Sequence, residues 1–311
     1  MTRLGWAWVC GRPTRWSNQT VSPDLIVVRL NSANQDSSFI MAIKVETCVA
    51  RHKGDRQEQQ DQVAIFGHPS KAGMLMAVLA DGMGGHTGGA MAAEQVLFKA
   101  KQNFEAFAPK EETPEKLLAS IVQDSHTVIK LTRFTSEQDP HSTAVVFMLQ
   151  KHRADWVHCG DSRFYHFRGD RLVYRSPDHS LVGELVRKGK LDEAGALTHP
   201  HRNVLLSCLG AEREPRIDLA GVTPLAGGDS FLLCSDGVWA YFDDAEIGAV
   251  LATQSARESC QTLISRARER AGGEGDNLSL AVVRIVDADD VSSEPPPTEP
   301  PGSGGFPRLN H

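Results

Sequence analysis

The stretch MLMAVLADGMGGHTGGAMAAE, residues 74–94, places a strand, a tight turn and the start of a helix next to one another. Its first seven residues form an uninterrupted apolar run of strand length. Asp81 follows at the end of that run, and the glycines after it suit a sharp turn. Beyond the glycines, the composition of residues 90–107 predicts a helix. An aspartate therefore stands at the junction between a buried strand and a turn.

The glycine-rich turn does not have the pattern of a nucleotide-binding loop. Residues 82–89 lack the Lys-Ser/Thr ending of a P-loop, and their glycines do not follow the GxGxxG spacing. A nucleotide cofactor is therefore not predicted.

Around this segment, strand-like and helix-like runs come in blocks. The predicted strands are residues 42–49, 74–80, 142–149, 154–159, 163–167, 171–174, 217–222, 230–234 and 278–286. The predicted helices are residues 90–107, 114–134, 180–188, 244–253 and 256–271. This order lacks the regular βαβ alternation of a doubly wound parallel sheet. It predicts an α+β fold with largely antiparallel β-sheets and no internal repeat.

Composition divides the chain into three segments. Residues 1–40 are rich in Ser, Asn, Thr and Arg, and we expect a disordered N-terminal extension there, with Met41 as an alternative start. Residues 41–286 are predicted to form one domain. Residues 287–311 turn acidic and then rich in Pro, Gly and Ser, a composition that buries too little apolar area to fold. We expect a disordered tail.

Charge and cysteine usage exclude several classes of protein. The 311 residues carry 33 Lys and Arg against 39 Asp and Glu, a net charge of −6, which disfavours binding to nucleic acid. No run approaches the roughly 18 uncharged apolar residues of a membrane span, and no signal peptide is evident. The six cysteines are scattered without a CxxC pair, which favours reduced thiols. We therefore expect a cytoplasmic protein with no nucleic-acid or membrane partner.

Five aspartates lie at the ends of apolar, strand-like runs. Asp81, Asp161 and Asp236 follow such runs, whereas Asp61 and Asp276 precede them. An isolated Asp-Gly is most simply a turn. Strand ends of a sheet sandwich converge on one edge, however, and carboxylates that share a cleft repel unless cations neutralise them. Oxygen-only ligands select Mg²⁺ or Mn²⁺ over zinc. Spacing alone leaves both the turn and the metal interpretation open.

Six ordered motifs resemble the metal-dependent Ser/Thr protein phosphatases of type 2C, in their bacterial form. The motifs are VLADGMGGHTGGAMAAE (78–94), CGDSRFYHFRGDRL (159–172), SPDHSLV (176–182), HPHRNVLLSCLG (199–210), LLCSDGVWAYFDDAEI (232–247) and GDNLSLAVV (275–283). The resemblance covers roughly residues 42–286. It implies a four-layer α-β-β-α sandwich, in which two antiparallel sheets lie face to face with helix pairs outside.

The resemblance also implies a set of metal ligands. Asp81 matches the carboxylate that bridges two metal ions, and the backbone carbonyl of Gly82 matches a ligand of the first ion. Asp236 and Asp276 match the remaining ligands of the second ion. Asp161 matches the aspartate that, together with Asp236, holds a third and weaker ion. The implied cofactor is Mn²⁺ or Mg²⁺.

Two more residues carry implied roles next to these ligands. Asp61 matches the aspartate that contacts the metals through bound water, and Arg56 matches the arginine that binds the substrate phosphate. The motif around them departs from the family pattern, because Gln59 replaces the usual Asn and Gly54 lies one residue closer to the arginine. These departures change the spacing between Gly54 and Arg56 and so bear on where the guanidinium lies relative to the aspartates.

By resemblance, the chain is predicted to hydrolyse phosphoserine and phosphothreonine in proteins. Two metal ions would activate a water for direct attack, so no phosphoenzyme is expected. Phosphorylated proteins are the expected substrates and a cognate Ser/Thr protein kinase an expected partner. Two alternatives stay open: a pseudophosphatase that binds phosphoproteins in signalling without turnover, and a phosphatase acting on small phosphoesters.

Overall fold

The computed structural model describes residues 19–28, 43–85, 88–132 and 138–286. Within these ranges the strands are β1 (Gln19–Val28), β2 (Ile43–His52), β3 (Gln62–Gly67), β4 (Met74–Ala80), β5 (Gly82–Met83), β6 (His141–Ser142), β7 (Ala144–Gln150), β8 (Arg153–Cys159), β9 (Arg163–Arg168), β10 (Arg171–Arg175), β11 (Asp218–Val222), β12 (Asp229–Cys234) and β13 (Leu278–Val286). The helices are α1 (Gly88–Ala106), α2 (Pro114–Thr132), α3 (Leu181–Arg187), α4 (Glu193–Thr198), α5 (Asp236–Trp239), α6 (Asp244–Thr253) and α7 (Ala256–Ala271).

The strands form two antiparallel sheets. The larger has the order β1-β2-β13-β12-β9-β10, and the smaller has the order β11-β8-β7-β4-β3. The short strands β5 and β6 pair separately, with Gly82 opposite Ser142. Every strand pair is antiparallel. The predicted antiparallel sheets are confirmed.

Successive side chains of each strand point to opposite faces of its sheet, so they pack in different layers of the core. In β4, Leu75, Ala77 and Leu79 pack between the two sheets with side chains of the larger sheet. Met76, Val78 and Ala80 face the other way and pack on α1 and α2. Because both faces of β4 are covered, its sequence is an apolar run without alternation.

Helix pairs cover the outer faces. On the smaller sheet, Val96 and Phe104 of α1 and Leu118 of α2 are buried. On the larger sheet, Leu251 of α6 and Ile264 of α7 pack in one cluster with residues of β9 and β12. The four-layer α-β-β-α sandwich is confirmed. No helix in the described ranges has the length and apolarity that crossing a membrane requires.

The strand β1 differs from the expectation for residues 1–40. Residues 19–28 form a ten-residue strand that pairs with β2 from Gln19↔His52 to Val28↔Ile43. The physical reason is that β2 would otherwise be an edge strand with a row of unpaired backbone groups, which a neighbouring extended segment can satisfy. The predicted extension at residues 1–18 and 29–40 and the predicted tail at 287–311 lie outside the described residues.

Candidate metal centre

The five aspartates stand at one edge of the sandwich because antiparallel pairing places the relevant strand ends side by side. Gln62, which follows Asp61, pairs with Ala80, which precedes Asp81. Cys234 at the end of β12 pairs with Leu280 near the start of β13. These registers set Asp61 next to Asp81, and Asp236 next to Asp276. Asp161 follows β8 in the smaller sheet.

Asp81 is fixed through its backbone by the segment that precedes β7. Its N–H donates to Thr143 Oγ1 at 2.9 Å, and its carbonyl accepts from Thr143 N–H at 2.8 Å and from Ser142 Oγ at 3.1 Å. Gly82 packs against the first turn of α1, and a Cβ added to Gly82 would stand 1.9 Å from the Gly89 carbonyl oxygen. Only glycine allows this approach of the helix to the residue after Asp81.

Asp61 is the most deeply buried member, with 1% of its surface exposed. Ser235 Oγ donates to Asp61 Oδ2 at 2.8 Å, which links the segment before β3 to the residue before Asp236. Gln59 Oε1 accepts from the Asp61 N–H at 3.0 Å, and Gln59 Nε2 donates to the His52 carbonyl at 3.1 Å. The residue that departs from the family pattern therefore braces the loop that carries Asp61.

Asn277 holds the rest of that loop. Its Oδ1 accepts from Gln60 N–H at 2.7 Å, and its Nδ2 donates to the carbonyls of Lys53 at 2.8 Å and Glu58 at 2.9 Å. Gly54 has φ +66°, and a Cβ there would lie 1.9 Å from the Asp276 carbonyl oxygen. The loop of residues 53–60 is thus packed tightly against the segment that carries Asp276.

Arg56 reaches the carboxylate edge from this loop. Its Nη2 lies 2.5 Å from Asp276 Oδ2, and 60% of the Arg56 side chain is exposed. The altered spacing from Gly54 therefore still brings the guanidinium to the aspartates. An exposed cation at the rim of a carboxylate cluster can contact an anion that enters from solvent.

Trp239, at the end of α5, connects Asp161 to the helix that begins at Asp236. Its indole Nε1–H donates to the Asp161 carbonyl at 3.0 Å. Arg163 stacks on the Trp239 ring, with its guanidinium carbon 3.5 Å from the ring centroid. Arg163 also makes two 2.8 Å hydrogen bonds to Asp178. The turn at Asp161 is therefore fixed by Trp239 on one side and, through Arg163, by Asp178 on the other.

Burial and mutual repulsion disfavour charge on the clustered carboxylates. Burial, the main cause, raises the pKa of Asp61 to about 7. Repulsion from Asp236 and Asp276 also raises it, whereas the hydrogen bond from Ser235 lowers it. Burial and then Asp276 raise the pKa of Asp236 to about 6. Burial also raises the pKa of Asp81 and of Asp161 well above the ordinary value, with further repulsion from neighbouring aspartates. A divalent cation bound among these carboxylates would favour their ionised forms and so lower their pKa values.

The comparison with protein-family models matches residues 50–274 to the model described as Protein phosphatase 2C. The chain belongs to the protein phosphatase 2C family. The match spans the loop that carries Arg56, all the strand ends that carry the aspartates except that of Asp276, and α7.

Relatives of this 2C phosphatase are bacterial. The serine/threonine phosphatase stp of Listeria innocua is 32% identical over 235 residues, which cover 73% of this chain and 90% of that protein. The S. agalactiae serine/threonine phosphatase structure superposes with a TM-score of 0.67 at 25% identity, covering 86% of this chain and all of that one. The catalytic domain of the phosphatase PstP, solved in complex with two manganese ions, gives a TM-score of 0.65 at 27% identity, with coverage of 79% and 99%.

These findings confirm the family, the fold and the enzyme class predicted from the motifs: the chain is a Ser/Thr protein phosphatase of type 2C. The roles of the individual site residues stay predictions. The 2C phosphatase site also depends on Asn277 and Trp239, whose contacts sequence patterns do not reveal. The available signal was a polar residue, Asn277, directly before an otherwise apolar strand.

Replacing Asn277 by Ala is expected to destabilise the phosphatase by about 3 kcal/mol, because three hydrogen bonds are lost in a site that is 5% exposed. Urea unfolding measures this loss. Asn103→Ala is the matched control, since the Asn103 amide bonds to Asp124 at the surface of the helix pair. Equal destabilisation by the two variants would show that the Asn277 contacts do not hold the loop.

Proposed function

We propose that this phosphatase hydrolyses phosphoserine and phosphothreonine by direct attack of water at a centre of two divalent cations, held by Asp81, Asp236, Asp276 and the Gly82 carbonyl. Asp61 would act through bound water, and Asp161 with Asp236 would form a third and weaker site. The single observation that carries the proposal is the convergence of five carboxylates and Arg56 on one edge. The mechanism and these residue roles rest on that convergence together with family membership.

The donor set fits Mn²⁺ or Mg²⁺. Asp81 interacts electrostatically with Asp61, Asp161, Asp236 and Asp276, so these four carboxylates all lie near that of Asp81. All five side chains are carboxylates, and hard oxygen ligands suit Mg²⁺ and Mn²⁺ rather than zinc. The two manganese ions of the PstP catalytic domain, a relative of known structure, support the same choice here.

Two cations bound in this way would lower the pKa of a shared water towards neutrality and offset charge on the phosphoryl oxygens. The protein then has to orient the phosphate. The Arg56 guanidinium is a planar fork of donors that fits two phosphate oxygens, which a lysine does not reproduce.

Arg56 and a cation compete for Asp276. In the present structure the guanidinium neutralises the Asp276 carboxylate at 2.5 Å. A cation on that carboxylate would take over this neutralisation and release Arg56 towards an incoming phosphate. Cation binding and phosphate binding are therefore expected to favour each other.

The test is a search for a covalent intermediate. A peptide with ³²P-labelled phosphothreonine is mixed with the Mn²⁺-loaded protein and quenched in acid within one turnover. We expect all released label as free phosphate, because water is the only nucleophile in the proposal. Label that stays on the denatured protein, and is absent from an Asp236→Asn variant treated identically, would replace the proposal with a phosphoenzyme route.

We also infer the substrates, the partner and the cellular compartment of this phosphatase. Phosphorylated proteins would be the substrates, as for the relatives named as Ser/Thr phosphatases, and a Ser/Thr kinase that phosphorylates the same proteins would be its counterpart. In the described ranges Cys159, Cys208, Cys234 and Cys260 are free thiols, three of them buried, which supports a reducing compartment such as the cytoplasm.

A further inference from the structure

A second cluster of metal-ligating side chains lies behind the Asp161 turn. His158 is near the end of β8, and Asp218 pairs with it in register from the start of β11. His179 precedes α3 and its ring centroid lies 4.6 Å from that of His158. One ligand atom from each of the three residues lies within 4.8 Å of the other two. None of these atoms belongs to the carboxylate centre.

His158 carries a buried nitrogen without a partner. The side chain has 0% of its surface exposed, and its Nε2 lies 2.9 Å from the Pro177 carbonyl, to which it donates. The other nitrogen, Nδ1, then carries a lone pair, and it is buried with no hydrogen-bond partner among the described residues. A buried polar atom left unpaired destabilises a protein by about 1–3 kcal/mol, so such atoms call for an explanation.

The neighbouring ligands are in the protonation states that bind metals. Burial lowers the pKa of His158, and burial followed by the proximity of His158 lowers that of His179 to about 4. Although burial opposes it, the pKa of Asp218 is lowered by hydrogen bonds from Arg216 and His179. Two neutral imidazoles and a carboxylate therefore face one another at neutral pH.

A cavity lies beside His179, one member of this cluster. It has a volume of about 190 Å³ and is lined by His179, Ser207 and Arg216 among other residues, so it has room for an ion and a water. Its walls carry the carboxylates of Asp178, Glu184 and Glu214 against the guanidiniums of Arg213 and Arg216. The cavity therefore places charged groups of both signs next to His179.

We propose that His158 Nδ1, His179 Nε2 and Asp218 Oδ2 bind a Zn²⁺ ion or a similar borderline transition metal, with water as fourth ligand. Two imidazoles and a carboxylate are a known zinc donor set, and ligand atoms about 2.0–2.2 Å from zinc lie about 3.4 Å apart in a tetrahedron. The present separations are up to 4.8 Å, so the ligand atoms would have to approach one another by up to about 1.4 Å on binding. The His158 Nε2–H bond to Pro177 is the outer hydrogen bond that orients a ligating histidine.

Metal binding at this site would act on the Asp161 turn. The Gly160 N–H donates to His179 Nδ1 at 3.3 Å, so the proton of this ring lies on Nε2, directed at Asp218 Oδ2 at 3.2 Å. A metal on Nε2 moves that proton to Nδ1, where it opposes the Gly160 N–H. The ion therefore replaces one hydrogen bond next to Asp161, and the two centres are coupled through His179.

Cobalt(II) is the probe for this site. The untagged full-length chain is first saturated with Mn²⁺, which fills oxygen-only sites, and is then titrated with Co²⁺. A four-coordinate site with two imidazoles gives intense visible absorption bands, whereas six-coordinate oxygen-only sites give weak ones. We expect these bands to saturate at one Co²⁺ per chain and to disappear when Zn²⁺ is added.

Two substitutions and one control decide the outcome. Asp218→Asn and His158→Asn are expected to weaken Co²⁺ binding by about 100-fold or more. Asp218 is partly exposed and its variant keeps the side-chain shape, so it folds even if His158→Asn does not. Asp139→Asn is the matched control, because His141 Nε2 and Asp139 Oδ2 are also 3.2 Å apart but belong to no group of three ligands among the residues that the structure describes. Absence of the bands in the wild type, or bands of equal strength in Asp218→Asn, would overturn the proposal.

Discussion

Asp81→Asn and Asp236→Asn are each expected to reduce Mn²⁺-dependent phosphate release from a phosphothreonine peptide by about 10³-fold. An amide keeps the size of the carboxylate but removes its charge, so the cations that it helps to hold bind weakly or not at all. Metal-ion catalysis contributes several kcal/mol to such a reaction, and about 4 kcal/mol corresponds to 10³-fold in rate. Phosphate release at saturating peptide, over a range of Mn²⁺ concentrations, measures the effect.

The control for this prediction is Asp170→Asn. Asp170 follows Gly169 in the exposed turn between β9 and β10, so it is an aspartate with a turn role and no metal role. We expect its rate to stay within about twofold of the wild type, as for most surface substitutions. If the Asp81 and Asp236 variants behaved like Asp170→Asn, the aspartates would be turn residues and the metal centre would have to lie elsewhere.

A second readout separates loss of metal from loss of fold. In the metal-free protein, Asp81→Asn removes an ionisable group whose charged form is already disfavoured, because burial and repulsion raise the pKa of Asp81. The chelated variant is therefore expected to unfold at a temperature no lower than that of the chelated wild type. The wild type alone should then gain stability when Mn²⁺ is added, by mass action on the folded state.

The sequence was sufficient to predict four of the five strands that carry the aspartates and where they end, whereas β3, which follows Asp61, is not among the predicted strands. The apolar run of β4 is unmistakable because both of its faces are buried, and predicted bounds at residues 74–80 and 278–286 match β4 and β13. Aspartate next to glycine marks where such runs stop. The convergence of the strand ends follows from antiparallel register, which became predictable through the family resemblance and not through spacing.

Contacts between distant parts of the chain were not predictable from local patterns. Asn277 binds the carbonyl of Lys53, which lies 224 positions away, and nothing in the local sequence specifies that partner. Strand β1 similarly depends on the free edge of β2, while its own residues 19–28 include a proline and an aspartate, which are uncommon in strands. Local propensity therefore misjudges segments whose structure depends on a partner.

The metal-free protein is expected to lose stability as pH rises from about 4 to about 7, and Asp61 is the main reason. Its pKa is raised to about 7 in the folded protein, chiefly by burial, from an ordinary value of 3.8. A group whose pKa is raised on folding stabilises the protein fully below its unfolded pKa, and this contribution disappears as pH rises through the folded pKa. For Asp61 the difference corresponds to about 4 kcal/mol.

Thermal or urea unfolding of the chelated wild type and of Asp61→Asn, at several values between pH 5 and 7.5, isolates this contribution. The difference between the two proteins should shift in favour of the variant as pH rises, because the amide does not ionise. Glu246→Gln is the opposite control: hydrogen bonds from Arg270 lower the pKa of Glu246, and the partners of its carboxylate are arginines, which stay charged, so the effect of this variant should be constant in this window. With Mn²⁺ present the dependence on pH should reverse, since a cation binds the ionised carboxylates and its stabilisation grows as they deprotonate. Parallel pH profiles for wild type and Asp61→Asn would mean that Asp61 ionises normally, and that the buried edge does not depend on cations for its neutralisation.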